Sequence, residues 1–398
     1  MARTNLPFTQ HEYDVRLAKT RSAMQSNGID VLIVSDPSNM HWLTGYDGWS
    51  FYVHQAVVIS LNDPPFWFGR GQDAEGAKRT VYMRDDCIIG YPDHYVQATD
   101  CHPMEQLADL LAGKGWSSKV IGVEADNYYY SAKADQVLRH ALSNARFLDA
   151  TSLVNWQRAV KSEQELTYMR RAGAIVSAMH RRIAETIEPG MRKNELVAEI
   201  YDVACRGADG FGGDYPAIVP LLPSGADAAA PHLTWDDQPL ANNSCTFFEI
   251  AGCYRRYHCP LSRSVHLGRP PQHIIDAEQA IQEGMAAGLE AAKAGNRACD
   301  IAGAFFTILE RYGIIKDNRT GYSIGLAYPP DWGERTISLR RSDETVLEAN
   351  MTFHFMTGLW MAGRPEGDWG LEITESIIIG ETDAACLADV PRNLIVKD

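Results

Sequence analysis

Twice in this chain a pair of amphipathic helices is followed by apolar, strand-like runs, first between residues 162 and 268 and again between 272 and 379. Elements in that order bury their apolar faces by joining the strands in a shared sheet and laying the helices against it. Such a duplication leaves a cleft at the seam between its halves. The first helix opens at Ser162-Glu163-Gln164-Glu165, a capping box in which the Ser side chain and the Glu three residues on satisfy free N–H groups reciprocally. Beyond it Leu166, Met169, Ala172, Val176, Met179, Ile183 and Ile187 recur at helical spacing, and Pro189-Gly190 ends the run. A second helix is predicted over 195–206, stopped by Gly207. Strands are predicted over 217–221, 245–250 and 262–267. The second half repeats the order, with helices over 274–293 and 301–312 and strands over 351–357 and 373–379.

The first 160 residues have a different rhythm. Short apolar runs at 31–34, 56–59, 66–68 and 120–123 read as buried strands. They alternate with helical segments at 12–27, 104–112 and 131–142. This predicts an α/β domain over 1–160 and a duplicated domain over 161–398. No glycine fingerprint for a dinucleotide or a P-loop follows any of these strands. A net charge of −14 argues against nucleic acid as the main partner. No apolar run approaches the ~18 residues of a membrane span. Met1-Ala2-Arg3-Thr4-Asn5 lacks the apolar stretch of a signal peptide, so a cytoplasmic protein is expected. The cysteines at 87, 101, 205, 245, 253, 259, 299 and 386 form no Cys-x-x-Cys pair and read as buried or idle thiols.

Several motifs add a family resemblance. Lys161-Ser162-x-x-Glu165 with Met169-Arg170-x-Ala172, Ile187-x-Pro189-Gly190-Met191 with Glu195-Leu196, Ser224-Gly225 with Pro231-His232, and Thr345-Val346-Leu347-Glu348-Ala349-Asn350-Met351 occur in order. In that order and spacing the chain resembles the creatinase, prolidase and aminopeptidase P family. The resemblance implies an α+β protein: a pita-bread catalytic domain over 161–398 behind an α/β domain, over 1–160, that caps and dimerises.

The departures from that pattern decide the chemistry. Metallopeptidases of the family bind two metals through two Asp, one His and two Glu. By the resemblance those positions are Glu249, Pro260, Tyr322, Met356 and Thr374. A hard dication needs several oxygen or imidazole ligands held together, and only one carboxylate is left. No catalytic metal and no cofactor are therefore expected. That places the chain beside creatinase, the family's metal-free hydrolase, yet creatinase's catalytic Glu corresponds to Ser262 here. Among metal-free relatives the combination is most similar to those that open the cyclic amidine ectoine.

Opening such a ring needs a carboxylate for the amidinium, a proton carrier, an anchor for the substrate carboxylate and aromatic walls. Glu249, alone in an apolar strand, is the expected base or nucleophile. His232 is the expected proton shuttle. Glu372, on one strand face with Thr374, is expected to bind an amidine N–H or orient His232, with Glu375 pointing away as an exposed or structural charge. Arg340 is expected to fork to the substrate carboxylate. Tyr322 and Trp235 are expected to line the pocket, and His354 reads as core, alternating away from Met356. By the resemblance Phe51 and Tyr52, in Trp49-Ser50-Phe51-Tyr52, close the site from a second subunit of a homodimer. A dipeptidase with unusual metal ligands and a non-catalytic binding protein on the same fold remain the alternatives.

Overall fold

In the computed structural model, residues 6–397 are described, so the N-terminal stretch read for a leader lies outside them. The chain divides into two compact units, Met1–Arg158 and Ala159–Asp398.

In the first unit the helices are α1 (Gln10–Ser26), α2 (Pro37–Thr44), α3 (Ala74–Thr80), α4 (Pro103–Gly113), α5 (Ala132–Ala141) and α6 (Leu153–Gln157). They alternate with β1 (Val31–Val34), β2 (Ala56–Ser60), β3 (Phe66–Arg70), β4 (Ile88–Tyr91), β5 (Val120–Val123) and β6 (Arg146–Asp149). The strands form one sheet in the order β4-β3-β2-β1-β5-β6. β1 is buried at every position, as expected of a strand covered on both faces. One apolar cluster, with Leu32, Val34 and Trp67, lies on one face; another, with Val31, Ile33 and Phe68, lies on the other.

The second unit begins with α7 (Glu163–Thr186) and α8 (Lys193–Arg206). The capping box forms as read: Ser162 Oγ accepts from Glu165 N–H, and Glu165 Oε2 accepts from Ser162 N–H. β7 (Ser244–Tyr254) and β8 (Tyr257–Leu267) then make one long antiparallel hairpin, longer than the two short strands expected. Its turn is Arg255-Arg256, both at positive φ, as a two-residue primed turn requires. The segment 217–221 is not a strand. Prolines 216, 220 and 223 remove ladder donors, and only Leu221 pairs, with Glu249.

Helices α9 (Gln272–Ala291) and α10 (Ala298–Arg311) open the second half. They are followed by β9 (Gly321–Tyr328), β10 (Asp331–Ser338), β11 (Thr352–Phe355), β12 (Leu359–Met361), β13 (Trp369–Leu371), β14 (Glu375–Ile379), β15 (Ala384–Cys386) and β16 (Ile395–Lys397). The main sheet runs β15-β14-β11-β9-β8-β16, with β10 on β9 and β7 on β8, and β12 pairs β13 separately. Two glycines set how closely the helices approach. A Cβ on Gly252 would lie 2.1 Å from the Ala172 carbonyl of α7, and one on Gly288 of α9 2.4 Å from the Phe355 ring.

Strand β8 is held by Arg263, which is fully buried. Its Nε donates to Pro391 O (2.7 Å), Nη1 to Ser262 O (2.9 Å) and Thr374 O (2.5 Å), and Nη2 to Glu375 Oε1 (2.7 Å) and Val390 O (2.8 Å). All five guanidinium donors are used. Glu375 is thus a buried structural partner rather than an exposed charge. Lysine keeps the charge but has three donors and no planar fork. Arg263→Lys should therefore lower the unfolding free energy by about 3 kcal/mol in urea denaturation.

Candidate active site

Glu249 sits mid-strand in β7, opposite Ser262 of β8. Its backbone N–H and C=O are both bonded to Leu221, and its side chain is buried. Burial, then the charge of Glu372, then that of Asp331 push its carboxyl well above the usual carboxylate range.

Glu372 follows β13 and is fully buried. One hydroxyl fixes its backbone: Ser264 Oγ accepts from Glu372 N–H (2.9 Å) and donates to its carbonyl (3.0 Å). On the side chain, Oε1 accepts from Trp360 Nε1 (2.6 Å). Burial raises this carboxyl to about 7, while Ser262, Trp360 and Lys316 pull it back toward the ionised form. Ser262 lies beside Glu372 without an aligned hydrogen bond. Ser262 Oγ and Glu372 Oε2 are therefore both buried with no aligned partner among the described residues. Buried polar atoms are costly to leave unbonded, so both atoms keep bonding capacity for a ligand or a water.

A hydrogen-bonded chain lies beside the two carboxyls. Trp332 Nε1 donates to Tyr322 Oη (2.8 Å), which contacts His354 Nδ1 (3.1 Å). His354 Nε2 contacts Thr374 Oγ1 (2.8 Å), and that oxygen also accepts from Ser262 N–H (2.7 Å). Burial drives the His354 pKa down to about 3, so the ring is neutral and has one donor and one acceptor. Either tautomer of His354 completes the chain: with the proton on Nδ1 the Tyr322 O–H is spare, and with the proton on Nε2 the Thr374 O–H is spare. Burial first, and then the Glu249 charge, raise the Tyr322 pKa.

His354 is thus part of the site framework, contrary to the expectation that it alternates away. Residues two apart in a strand share a face. Of the other expected site residues, Arg340 is exposed in the turn after β10, where its carbonyl accepts from Asp343 N–H. No contact described joins it to the carboxyl pair. His232 is exposed in the loop after the 3-10 turn Gly225–Ala229. Trp235 packs edge-to-face on Tyr201 of α8, with ring centroids 6.2 Å apart. Phe51 and Tyr52 belong to the first unit, where Phe51 packs on Trp49 and Tyr129 and Tyr52 is 61% exposed. Trp360 and Lys316 were not legible in the sequence. Trp360 bonds Glu372 from β12, the strand paired with β13, and Lys316 lies over that indole, and no local pattern marks either.

The five positions assigned to metal ligands do not fit a hard divalent pair. Pro260 and Met356 offer no oxygen or imidazole. The oxygens of Tyr322 and Thr374 are engaged in the chain above. Among the described residues no group of three or more His, Cys, Asp and Glu is placed to hold a metal.

A carboxyl raised by burial holds a proton in the folded state that the unfolded chain has lost. Stability therefore falls as pH rises from the unfolded carboxylate range through the folded pKa. Glu249→Gln removes that liability. It should melt at a higher temperature than the wild-type protein at pH 8, with the difference closing toward pH 4, in thermal melts across that range.

The creatinase/prolidase N-terminal domain model matches residues 16–160, and the metallopeptidase family M24 model matches residues 167–381. Ectoine hydrolase of Halomonas elongata is 59% identical over the whole of both chains. A hydrolase/peptidase of Sinorhizobium fredii, y4tM, is 41% identical over 99% of each. A prolidase from Thermococcus sibiricus superposes with a TM-score of 0.83 at 16% identity, covering 96% of this chain and 99% of that one. That last likeness is one of fold, the pita-bread fold with its N-terminal domain.

Proposed function

The chain belongs to the creatinase/prolidase branch of the M24 metallopeptidase family, and on that premise we propose that it hydrolyses ectoine to N-acetyl-L-2,4-diaminobutyrate without a metal. The full-length likeness to ectoine hydrolase carries this reading. The buried pair Glu249 and Glu372 supports it, because no cation forms an ion pair with either carboxyl among the described residues and ectoine's amidinium is a flat cation.

In this reading the cation supplies what the pair lacks, and its arrival drives the proton off Glu249. Glu372, fixed by Trp360 and Ser264, bonds an amidine N–H with Oε2. Glu249 then takes a proton from water as the water oxygen bonds to the carbon between the two nitrogens. The ring C–N bond breaks, and its electron pair goes to nitrogen, which takes the proton back from Glu249. The hydroxyl proton leaves through His232, and the acetamide carbonyl forms. Phe51 and Tyr52 exclude water as a lid brought by a second copy in a homodimer.

Ectoine should be consumed with the acetylated, ring-opened product visible by NMR, and chelators should leave the rate unchanged. Stoichiometric zinc, manganese or cobalt in the active protein would overturn the metal-free reading. Glu249→Gln should cost about 10³-fold in turnover, and His232→Ala about 10²-fold. In a single turnover in ¹⁸O water, the product acetyl group should carry the label. Label arriving only in later turnovers would make Glu249 a nucleophile. A fully active monomer would remove the shared lid.

A further inference from the structure

Ectoine carries a carboxylate as well as an amidinium, and the residues above leave that end of the molecule without a partner. Lys316 lies in the segment between α10 and β9, and its side chain is partly buried. Its Nζ donates to Gly358 O (2.8 Å) and lies 4.5 Å from the ring centroid of Trp360. No carboxylate lies within ion-pair distance of it among the described residues, and two of its three donors remain unused. A cation is seldom withdrawn from water without a partner.

The same indole serves both charges: its N–H fixes Glu372, and its face carries Lys316. Gly358 makes this close arrangement possible. A Cβ there would lie 2.8 Å from Glu372 Cγ and 3.0 Å from Trp360 Cζ2. Trp360 thus holds a carboxylate at its N–H edge and a cation over its face.

We infer that Lys316 is the anchor for the substrate's carboxylate, so that Lys316 and Glu372, set apart by Trp360, read the two poles of a zwitterion. The inference rests on the proposed reaction at this site and adds the substrate class, a cyclic amidinium bearing a carboxylate. Arg340, exposed after β10, has no part in it. Burial lowers the Lys316 pKa to about 8, opposed by the facing charges of Glu372 and Asp317. A bound carboxylate restores the charged form.

The test compares ectoine with the same ring lacking its carboxylate. Lys316→Met should raise KM for ectoine about 100-fold with kcat changed far less, and should cost the decarboxylated ring, which feels only the change at Glu372, at least about tenfold less in kcat/KM. Lys316→Arg should keep most of the affinity for ectoine and move the alkaline limb of kcat/KM above its wild-type position near pH 8. An unchanged ectoine KM in Lys316→Met, or an equal loss on both substrates, overturns the anchor while leaving the reaction standing. Absence of ectoine turnover by the wild-type protein overturns both. Lys316→Gln, read in the same two assays, covers the case in which the methionine variant does not fold.

Discussion

Arg263 is the constraint from which the site follows. It crosses from β8 to the carbonyls of Thr374, Val390 and Pro391 and to the carboxylate of Glu375. Those contacts fix the 372–375 segment against β8. Ser262 and Ser264 complete the attachment, one through Thr374 and the other through the backbone of Glu372. Only with that segment fixed does the Glu372 side chain meet Trp360 and come near Glu249. The buried cation works for the site without touching either of its two carboxyls.

Two buried carboxyls side by side are unfavourable in a protein alone. Desolvation raises both pKa values, the charge of Glu372 raises that of Glu249 further, and folding at neutral pH gives up stability to keep them there. The arrangement makes sense where the counter-charge arrives with a ligand. A flat cation between them recovers the Coulomb energy in a low-dielectric setting, where it is largest. Binding energy is thereby concentrated on the group that reacts.

How much of this the sequence discloses depends on how local the cause is. The Ser162 capping box, the apolar face of α7 and the burial of β1 are set by neighbours within a few residues, and all were readable. Glu249 stood out because a carboxylate in an apolar strand is anomalous by itself. The Arg255-Arg256 turn was hidden because nothing in two arginines suggests positive φ. The apolar run at 217–221 suggested a strand that its prolines forbid. His354 was misplaced by a parity slip, although its spacing from Met356 already put both on one face. Trp360 acquires meaning through the pairing of two short strands that no pattern marks, and Lys316 only through that indole, farther along the chain than any spacing rule reaches. The family resemblance supplied the places where ligands were missing; the hydrogen bonds show what occupies them.

The Trp332–Tyr322–His354–Thr374 chain also bears on the route by which such a site can change. Each member satisfies its neighbour, so the four side chains are interlocked. A histidine in place of Tyr322 alone would strand the Trp332 N–H and one nitrogen of His354. A glutamate in place of Thr374 alone would disturb both the bond from Ser262 N–H and the contact with His354 Nε2. Each single replacement is uphill until several are made together. The hydrogen-bonded chain acts as a ratchet that holds these residues as a set.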